Sequence, residues 1–316
     1  MSELNAVKLS PAFKDYLWGG TKLKTLYNKK SNLDIVAESW ELSAHKDGQS
    51  IVMGGEYDGL TLNEYIEKAG KEILGTNAEK FEYFPILIKF IDAQGSLSVQ
   101  VHPDDEYALA NEGEYGKTEM WYILDCEEGA TLYYGFAKDV TKQEYEEAIR
   151  NNTLTEILNA VPVHKGDVFF IEAGTVHAIG EGIIICEIQQ NSNTTYRVYD
   201  YNRKDKDGNT RPLHIEKAVE VSNLKKSPEL KAIANDKDVV LAQCKYFTVR
   251  RLKVAGSMGI DIDKSSFHSL IVAEGSGEVM LNGEKTQINK GDSVFVPAQN
   301  GKYTVDGQCE IILSYV

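Results

Sequence analysis

The residues most able to do chemistry begin in the segment SVQVHPDDEY, where Gln100 and His102 are two positions apart. In an extended strand, side chains two positions apart point to the same face. Further along the chain, Glu119 lies in KTEMWYIL and His177 lies in AGTVH. Amide and carboxylate oxygens and imidazole nitrogens suit zinc or a related divalent ion. The four residues are therefore candidates for a metal site, although a single histidine in a β protein is more often structural.

The composition of this donor set favours a catalytic or substrate-binding ion. Two neutral imidazoles, one carboxylate and a neutral amide leave positive charge on a divalent ion, which can polarise a carbonyl group or activate water. The four cysteines form no C-x-x-C pair, so the sequence predicts no disulfide framework and no cysteine zinc site. The remaining histidines are interpreted as structural or surface residues: His45, His164, His214 and His268.

The overall charge limits the partners of the protein. The 316 residues include 48 acidic and 34 basic ones, which gives a formal net charge of −14. An acidic chain without a basic run disfavours nucleic acid and anionic membranes as partners. No stretch is apolar enough for a membrane span, and the N-terminus does not resemble a signal peptide. Together with the cysteine pattern, these features predict a cytoplasmic protein. They do not indicate its oligomeric state.

The elements that must position the candidate ligands are mainly strands. Short β-branched and aromatic runs such as FPILIKFI, MWYIL, DVFFI and GIIICEI are separated by glycine, aspartate and asparagine. Helices are predicted at 61–74 and 141–160, each of which opens with a Thr-x-x-Glu capping box, and at 212–222, which opens with proline.

A weak internal repeat indicates two similar small barrels. KGDVFFIEAGTVH at 165–177 aligns without a gap with KGDSVFVPAQNGK at 290–302. The first copy ends at His177, whereas the second has Lys302 at that place. A short match of this kind can arise by chance. If the repeat is genuine, only its first copy carries ligand-type residues.

Four segments resemble the type I phosphomannose isomerases, a branch of the cupin superfamily. They are SVQVHPDD, GKTEMWYIL, AGTVHAIGEG and EIQQNSNTTYRVYDYNR, with a weaker match in DYLWGG. The resemblance implies a mainly β fold with two jelly-roll-like cupin barrels. It divides the chain into a catalytic domain at 1–235, with a helical insertion at about 141–160, and a degenerate cupin domain at 236–316 that lacks metal ligands. It also implies an enzyme that interconverts mannose 6-phosphate and fructose 6-phosphate.

The resemblance assigns roles to individual residues. It implies one zinc ion per chain on the four candidate ligands, with Arg197, Lys117 and Glu187 as catalytic residues. The residues that it places at the substrate or its phosphate are Ser98, Lys89, Arg203 and Trp18. The family's arginine segment departs here at 198–200, which weakens the assignment of Arg203. Together the basic residues would form a cationic pocket, which suits an anionic sugar phosphate.

The expected reaction moves a proton between adjacent carbons through an enediol. It requires a base, a cation for the developing oxyanion and an anchor for the phosphate. The sequence leaves the proton carrier open among Glu187, Lys117, a zinc-bound water and another group. Two alternatives to the isomerase remain open at this point. One is a cupin dioxygenase that uses Fe(II), and the other is a non-catalytic sugar-binding cupin.

Overall fold

The computed structural model of the protein describes residues 4–204, 207–230 and 232–316. Its strands, in chain order, are β1 Val7–Ser10, β2 Ala12–Lys14, β3 Glu38–Leu42, β4 Ala44–His45, β5 Gly48–Gln49, β6 Ile51–Met53, β7 Ile86–Ala93, β8 Val99–Val101, β9 Glu119–Cys126, β10 Thr131–Phe136, β11 Leu158–Pro162, β12 Val168–Ile171, β13 His177–Ala178, β14 Ile183–Gln190, β15 Tyr196–Tyr199, β16 Asp238–Gln243, β17 Thr248–Ile262, β18 His268–Leu281, β19 Glu284–Asn289, β20 Ser293–Val296 and β21 Gly301–Tyr315. The α-helices are α1 Lys22–Leu26, α2 Leu62–Ala69, α3 Asp105–Asn111, α4 Lys142–Arg150 and α5 Ile215–Val221, and short 3-10 helices lie at Lys71–Leu74, Thr76–Lys80 and Leu154–Glu156.

Three large sheets form the body of the protein. One has the strand order β12-β9-β14-β7-β3-β2, and a second has the order β11-β10-β13-β8-β15. The third has the order β16-β17-β21-β18-β20-β1-β6, with β19 paired to β18. The third sheet thus joins the C-terminal strands to β1 and β6 from the start of the chain. The mainly β prediction is confirmed, and the domain boundary between residues 235 and 236 stays a prediction.

The predicted jelly-roll-like barrels take the form of facing sheets, none of which closes into a barrel among the described residues. Among the described residues, the six-stranded sheet ends on β12 and β2, and the five-stranded sheet ends on β11 and β15. The two sheets pack face to face instead, with β10 side chains against those of β9 and β12. Tyr134 on β10 links the layers, because its hydroxyl donates to the carbonyl oxygen of Phe170 at 2.9 Å. Two facing sheets bury the apolar side chains of their inner faces, as a barrel does, but their edge strands stay unpaired.

The central strands of the six-stranded sheet are buried on both faces. On β7, Ile91 packs toward the five-stranded sheet, whereas Ile88 and Phe90 pack toward the C-terminal sheet. β9 and β14 alternate in the same way, as Trp121 and Met120 on β9 illustrate. Because alternate side chains of a strand point to opposite faces, a strand between two layers is apolar throughout. This accounts for the continuous hydrophobic runs in the sequence.

The outer face of the five-stranded sheet is covered by helices. Val99 and Val101 of β8 share one cluster with Tyr145 of α4 and Ala218 of α5. The alternate β8 residue, Gln100, therefore points toward the six-stranded sheet. The helices thus fix which face of β8 turns inward. Among the described residues, no helix is both long and apolar enough to cross a membrane.

The predicted helices begin nearly where expected but are shorter. Both capping boxes are present, at the starts of α2 and α4. The segment 61–74 breaks at Gly70, whose φ is +97°, and continues as a 3-10 helix. The segment 141–160 is α-helical to Arg150, contains a 3-10 turn at Leu154–Glu156 and continues as strand β11, so the predicted end was wrong. Pro212 precedes α5 and is not its first residue, since the helix begins at Ile215.

The two copies of the repeat form the same turn. Gly166 and Gly291 have φ values of +91° and +92°. The Gly166 amide donates to the Ile123 carbonyl at 2.8 Å, and the Gly291 amide donates to the Val272 carbonyl at 2.8 Å. The next residue is an aspartate in both copies. The Asp167 carbonyl accepts from the Ile123 amide, and the Asp292 carbonyl accepts from the Val272 amide, at 2.9 Å each. The internal repeat therefore corresponds to a repeated structural unit.

Candidate active site

Neighbouring strands of the five-stranded sheet place three polar residues side by side. Gln100 on β8 pairs with His177 on β13 and with Arg197 on β15. Directly paired residues of antiparallel strands have side chains on the same face. That face is the inner one, because Val99 and Val101 turn toward the helices. The register thus aligns two predicted ligands with the predicted catalytic arginine.

A second polar row crosses the six-stranded sheet opposite. Lys89 on β7 pairs with Glu187 on β14, and Glu187 pairs with Trp121 on β9. Glu119 lies two positions before Trp121 and therefore shares its face. The Trp121 indole N–H donates to Glu119 Oε1 and to Glu187 Oε2, at 3.1 Å each. The indole therefore fixes the two carboxylates next to each other.

His102, Glu119 and His177 converge between the two rows. Their candidate ligand atoms all lie within 4.8 Å of one another, and all three residues are buried. His177 Nε2 is 3.4 Å from Glu119 Oε1, and His102 Nε2 is 3.7 Å from Glu119 Oε2. Both Nε2 atoms and Glu119 Oε2 are buried without a hydrogen-bond partner. Buried polar atoms without partners are unfavourable, so the geometry fits a cation held among them.

The other nitrogen of each imidazole contacts a backbone carbonyl. His102 Nδ1 lies 2.9 Å from the Thr194 oxygen, and His177 Nδ1 lies 2.8 Å from the Thr175 oxygen. A proton on Nδ1 leaves the Nε2 lone pair available as a ligand. Burial lowers the pKa of His177 to about 4 and that of His102 well below its usual value. Both rings are therefore neutral at pH 7, as metal ligation requires.

The carboxylates of the site differ in their pKa values. Burial raises the pKa of Glu119 to about 7, and the negative charge of Glu187 raises it too, whereas Lys117 lowers it. Burial also acts to raise the pKa of Glu187, but the nearby cations Lys117 and Lys89 outweigh it and lower the pKa overall. Glu187 is therefore ionised at pH 7, and its buried Oε1 accepts no hydrogen bond. A divalent cation beside Glu119 would also favour its charged form.

Comparisons with known proteins agree with this geometry. The family model "Phosphomannose isomerase type I, catalytic domain" matches residues 6–130, and "Mannose-6-phosphate isomerase, cupin domain" matches residues 237–316. A probable mannose-6-phosphate isomerase of Bacillus subtilis is 39% identical over 313 residues, which cover 97% of this chain and 98% of that protein. The chain belongs to the type I phosphomannose isomerases. The mannose-6-phosphate isomerase of Streptococcus mutans is 38% identical over 95% of this chain and 94% of its own length.

Solved structures support the same family fold. The crystal structure of the mannose 6-phosphate isomerase from Bacillus subtilis matches with a TM-score of 0.91 and 35% identity. That match covers 99% of this chain and 100% of the other. A putative mannosephosphate isomerase from Archaeoglobus fulgidus matches with a TM-score of 0.79 and 28% identity, over 100% of this chain and 99% of the other.

Most residues that the phosphomannose isomerase resemblance selected line one pocket. The predicted residues at its surface are Trp18, Lys89, Ser98, Gln100, Lys117, Glu187 and Arg197. Lys117 Nζ lies 3.3 Å from Glu119 Oε2. Arg197 donates from Nε to Ser98 Oγ at 3.2 Å and from Nη1 to the Pro212 carbonyl at 3.0 Å. The structure therefore brings these separated segments together, while their roles stay proposals.

Two predicted phosphate contacts have other partners. Lys89 Nζ is buried 3.6 Å from Glu38 and 3.5 Å from Glu187. Burial alone lowers the pKa of Lys89, but these two carboxylates raise it overall, so the ammonium stays charged. Arg203 donates to Asp200 at 2.6 Å and, among the described residues, is not one of those that line the pocket.

The pocket also contains residues that the sequence analysis did not select. The apolar ones are Ile91 and Leu97, and those with polar or charged groups are Tyr16, Glu38, Asn193, Thr195 and Arg211. The Arg211 guanidinium donates to both oxygens of Asp200, at 2.6 and 2.8 Å. The acidic Glu38 lies in the AESWEL run, where it reads as an ordinary residue of a partly exposed strand. For Thr195 and Asn193, a position two and four residues before Arg197 in the same segment is the one signal that could have indicated a role near the site.

Proposed function

We propose that this protein interconverts mannose 6-phosphate and fructose 6-phosphate through an enediol intermediate. The single observation that carries the proposal is the convergence of the buried His102, Glu119 and His177 side chains, in which both imidazole Nε2 atoms have no hydrogen-bond partner. They lie beside a pocket lined by the cations Lys117 and Arg197. A metal-binding centre next to a cationic pocket suits a phosphorylated sugar with a reactive carbonyl. The relatives named above carry this activity in their names.

The proposed metal is one zinc ion per chain. His102, Glu119 and His177 would hold it, together with Gln100, which is paired to His177 across the strands. Nitrogen and oxygen donors in this number suit a catalytic zinc site. When bound, such an ion supplies a Lewis acid that withdraws electron density from the sugar oxygens. The neutral state of both imidazoles supports this assignment, because protonated rings cannot bind a metal.

The phosphate anchor that we propose is the pair Arg197 and Arg211 with Ser98. Guanidinium groups bind phosphate through two parallel N–H donors, and both arginines line the pocket. Burial lowers the pKa of Arg197, and the nearby Arg211 lowers it as well, although an arginine stays charged at neutral pH. Two neighbouring guanidinium groups favour an anion between them. Arg203 supports this anchor through Asp200, which it shares with Arg211.

Glu187 is the proposed base. It is ionised, it lines the pocket, and its Oε1 has no hydrogen-bond partner. Such a carboxylate can take the proton from one sugar carbon and return it to the adjacent carbon. Lys117 lines the pocket and lies beside the proposed ligand Glu119. Its ammonium group can therefore stabilise negative charge that develops on the sugar oxygens. Lys89, held between Glu38 and Glu187, keeps the base anionic.

The direct test joins metal analysis to an activity assay. The purified protein is expected to contain one zinc ion per chain and to form fructose 6-phosphate from mannose 6-phosphate in a coupled assay. A chelator should abolish activity, and added zinc should restore it, because the scaffold stands without the ion. A protein that binds zinc but produces no fructose 6-phosphate would contradict the proposed reaction. A protein that isomerises the sugar at full rate after complete metal removal would contradict the role of the ion.

A further inference from the structure

The loop between β14 and β15, here called the Asn193 loop and comprising residues 191–195, joins the metal centre to the substrate pocket. The backbone oxygen of Thr194 lies 2.9 Å from His102 Nδ1. The neighbouring residues Asn193 and Thr195 line the pocket. A displacement of this loop would therefore rotate the His102 ring and move the pocket wall together. The groups that hold the loop in place therefore affect both the orientation of the His102 ring and the shape of the pocket.

The base of the Asn193 loop is anchored from inside the protein. Asn191 donates from its side chain to the Phe84 carbonyl at 2.8 Å and from its amide to the Pro85 carbonyl at 2.9 Å. The buried Gln189 side chain donates to the Ser192 carbonyl at 2.6 Å. These contacts fix the start of the loop. They do not reach its tip, which consists of Asn193 and Thr194.

The tip is held by two carboxylates. Glu114 Oε2 accepts from the Asn193 amide at 3.3 Å and from the Thr194 hydroxyl at 3.4 Å. Asp47 Oδ2 accepts from the Asn193 side-chain amide at 3.0 Å. Among the described residues, these are the hydrogen bonds that join the tip to other segments, apart from the Thr194 contact with His102. Of the two carboxylates, Glu114 binds Thr194, whose carbonyl oxygen contacts His102.

Glu114 is itself held in place. Its Oε1 lies 2.7 Å from Lys46 Nζ and 3.8 Å from His45 Nε2. The Glu114 side chain is only 18% exposed, which limits screening by solvent. Burial acts to raise its pKa, but Lys46 and the Asn193 amide outweigh this and lower the pKa overall. Glu114 is therefore a charged and fixed acceptor at neutral pH, and it is not among the described residues that line the pocket.

We infer that Glu114 is a positioning residue for the metal ligand His102. It holds Thr194, and the Thr194 carbonyl orients the His102 ring so that Nε2 faces Glu119 and His177. The inference rests on the proposed zinc site. Groups that orient a metal-binding histidine through its second nitrogen commonly change metal affinity by about 10- to 100-fold when removed. Glu114 does not contact His102 itself, but acts on it through the Thr194 carbonyl.

The test measures zinc affinity without substrate, by equilibrium competition with a fluorescent chelator. Glu114→Ala is expected to bind zinc about 10-fold more weakly than the wild type. Glu114→Gln should stay within a factor of about three, because its amide oxygen can still accept from Asn193 and Thr194. Glu274→Ala is the matched control, since Glu274 binds the lysines Lys165 and Lys290 far from the metal centre. It should keep the wild-type affinity.

Several outcomes would overturn the inference. One is a wild-type zinc affinity in Glu114→Ala, and another is an equal loss in the Glu274→Ala control. An equal loss in Glu114→Gln would place the effect in the charge and not in the hydrogen bonds, and would also reject the positioning role. A wild-type protein that binds no zinc would instead contradict the proposed function itself. Thermal unfolding of the chelated proteins identifies any variant that fails to fold.

Discussion

The two copies of the repeat share a turn but differ in what their sheets enclose. Gly166 and Gly291 occupy equivalent turns with nearly the same φ. In the first copy the chain continues through β12 to β13, where the buried His177 meets His102 and Glu119. In the second copy the interior of the C-terminal sheet is apolar, as Leu252, Val272 and Ile311 illustrate.

The position equivalent to His177 shows the same contrast. Lys302 is the second residue of the long strand β21, where its side chain is 58% exposed and lies 3.2 Å from Asp261. Among the described residues, the one group of possible metal ligands includes His177 of the first copy and no residue of the second. The turn and strand therefore specify the scaffold, whereas the inward-facing side chains specify the chemistry. The variants below test this difference between the two regions.

The largest effect is expected for His177→Ala. It should remove zinc and reduce activity by about 10³-fold or more, since metal catalysis contributes several kcal/mol of transition-state stabilisation. The matched control is Lys302→Ala, at the equivalent position of the second copy. Its loss of an exposed ion pair should change the free energy of unfolding by less than about 1 kcal/mol and leave zinc content unchanged. A tightly bound zinc in His177→Ala would show that the ligand assignment is wrong.

Arg197→Ala should reduce kcat/KM by about 10²- to 10³-fold with a loss in kcat, because it removes one guanidinium group of the proposed phosphate anchor, whose binding energy also positions the sugar for reaction. Zinc content should not change, because Arg197 is not among the proposed ligands. A rise in KM at constant kcat would instead assign Arg197 to phosphate binding alone. Arg250→Ala is the control in the C-terminal sheet, where Arg250 pairs with Asp238, and it should retain both constants. Wild-type kinetics in Arg197→Ala would leave that residue without a role in the reaction.

The two turn glycines should respond differently to alanine. A Cβ on Gly291 would lie 2.1 Å from the backbone oxygen of Tyr27, whereas a Cβ on Gly166 would lie 3.9 Å from the Tyr122 hydroxyl. Both substitutions add strain at positive φ, and only Gly291→Ala adds a backbone clash. We expect a destabilisation of about 4 kcal/mol for Gly291→Ala and about 1–2 kcal/mol for Gly166→Ala. Chemical denaturation measures both, and equal losses would contradict the structural difference.

The smallest effect at pH 7 is expected from the buried histidine of the second region, whose contribution to stability changes only at acidic pH. Burial lowers the pKa of His268 to about 4, and its Nδ1 lies 2.9 Å from the Tyr303 hydroxyl. In the unfolded chain the imidazole of His268 binds a proton near pH 6.5, whereas in the folded protein it does so only near pH 4. The free energy of unfolding therefore falls as the pH decreases from 6.5 toward 4. The loss due to this residue should reach at most about 3 kcal/mol, and His268→Gln should lack it.

Denaturation curves at several pH values compare the two proteins, and other titrating groups affect both alike. The same pH dependence in wild type and His268→Gln would show that His268 does not titrate in this way. Zinc content and activity at pH 7 should be equal in the two, because His268 lies in the C-terminal sheet and outside the metal centre.

Local patterns in the sequence determined much of the scaffold. The capping boxes predicted the starts of α2 and α4, and the aligned repeat segments predicted two similar units, which share equivalent turns at Gly166 and Gly291. Each of these depends on residues within a few positions of one another, where backbone sterics and local hydrogen bonds decide the conformation. The four candidate metal ligands were also selected from the sequence, through short motifs. Three of them converge in the structure, and Gln100 is paired with one of the three.

Tertiary structure alone decided which charges face one another. Lys89 pairs with Glu38 and Glu187, and Asp200 binds both Arg203 and Arg211. The helix predicted for 141–160 ended early because its last part pairs as β11 with β10. Strand pairing joins residues far apart in the chain, and a shift of one position reverses the face of every side chain. No local pattern encodes that register, so the neighbours of each charged residue follow only from the packed sheets.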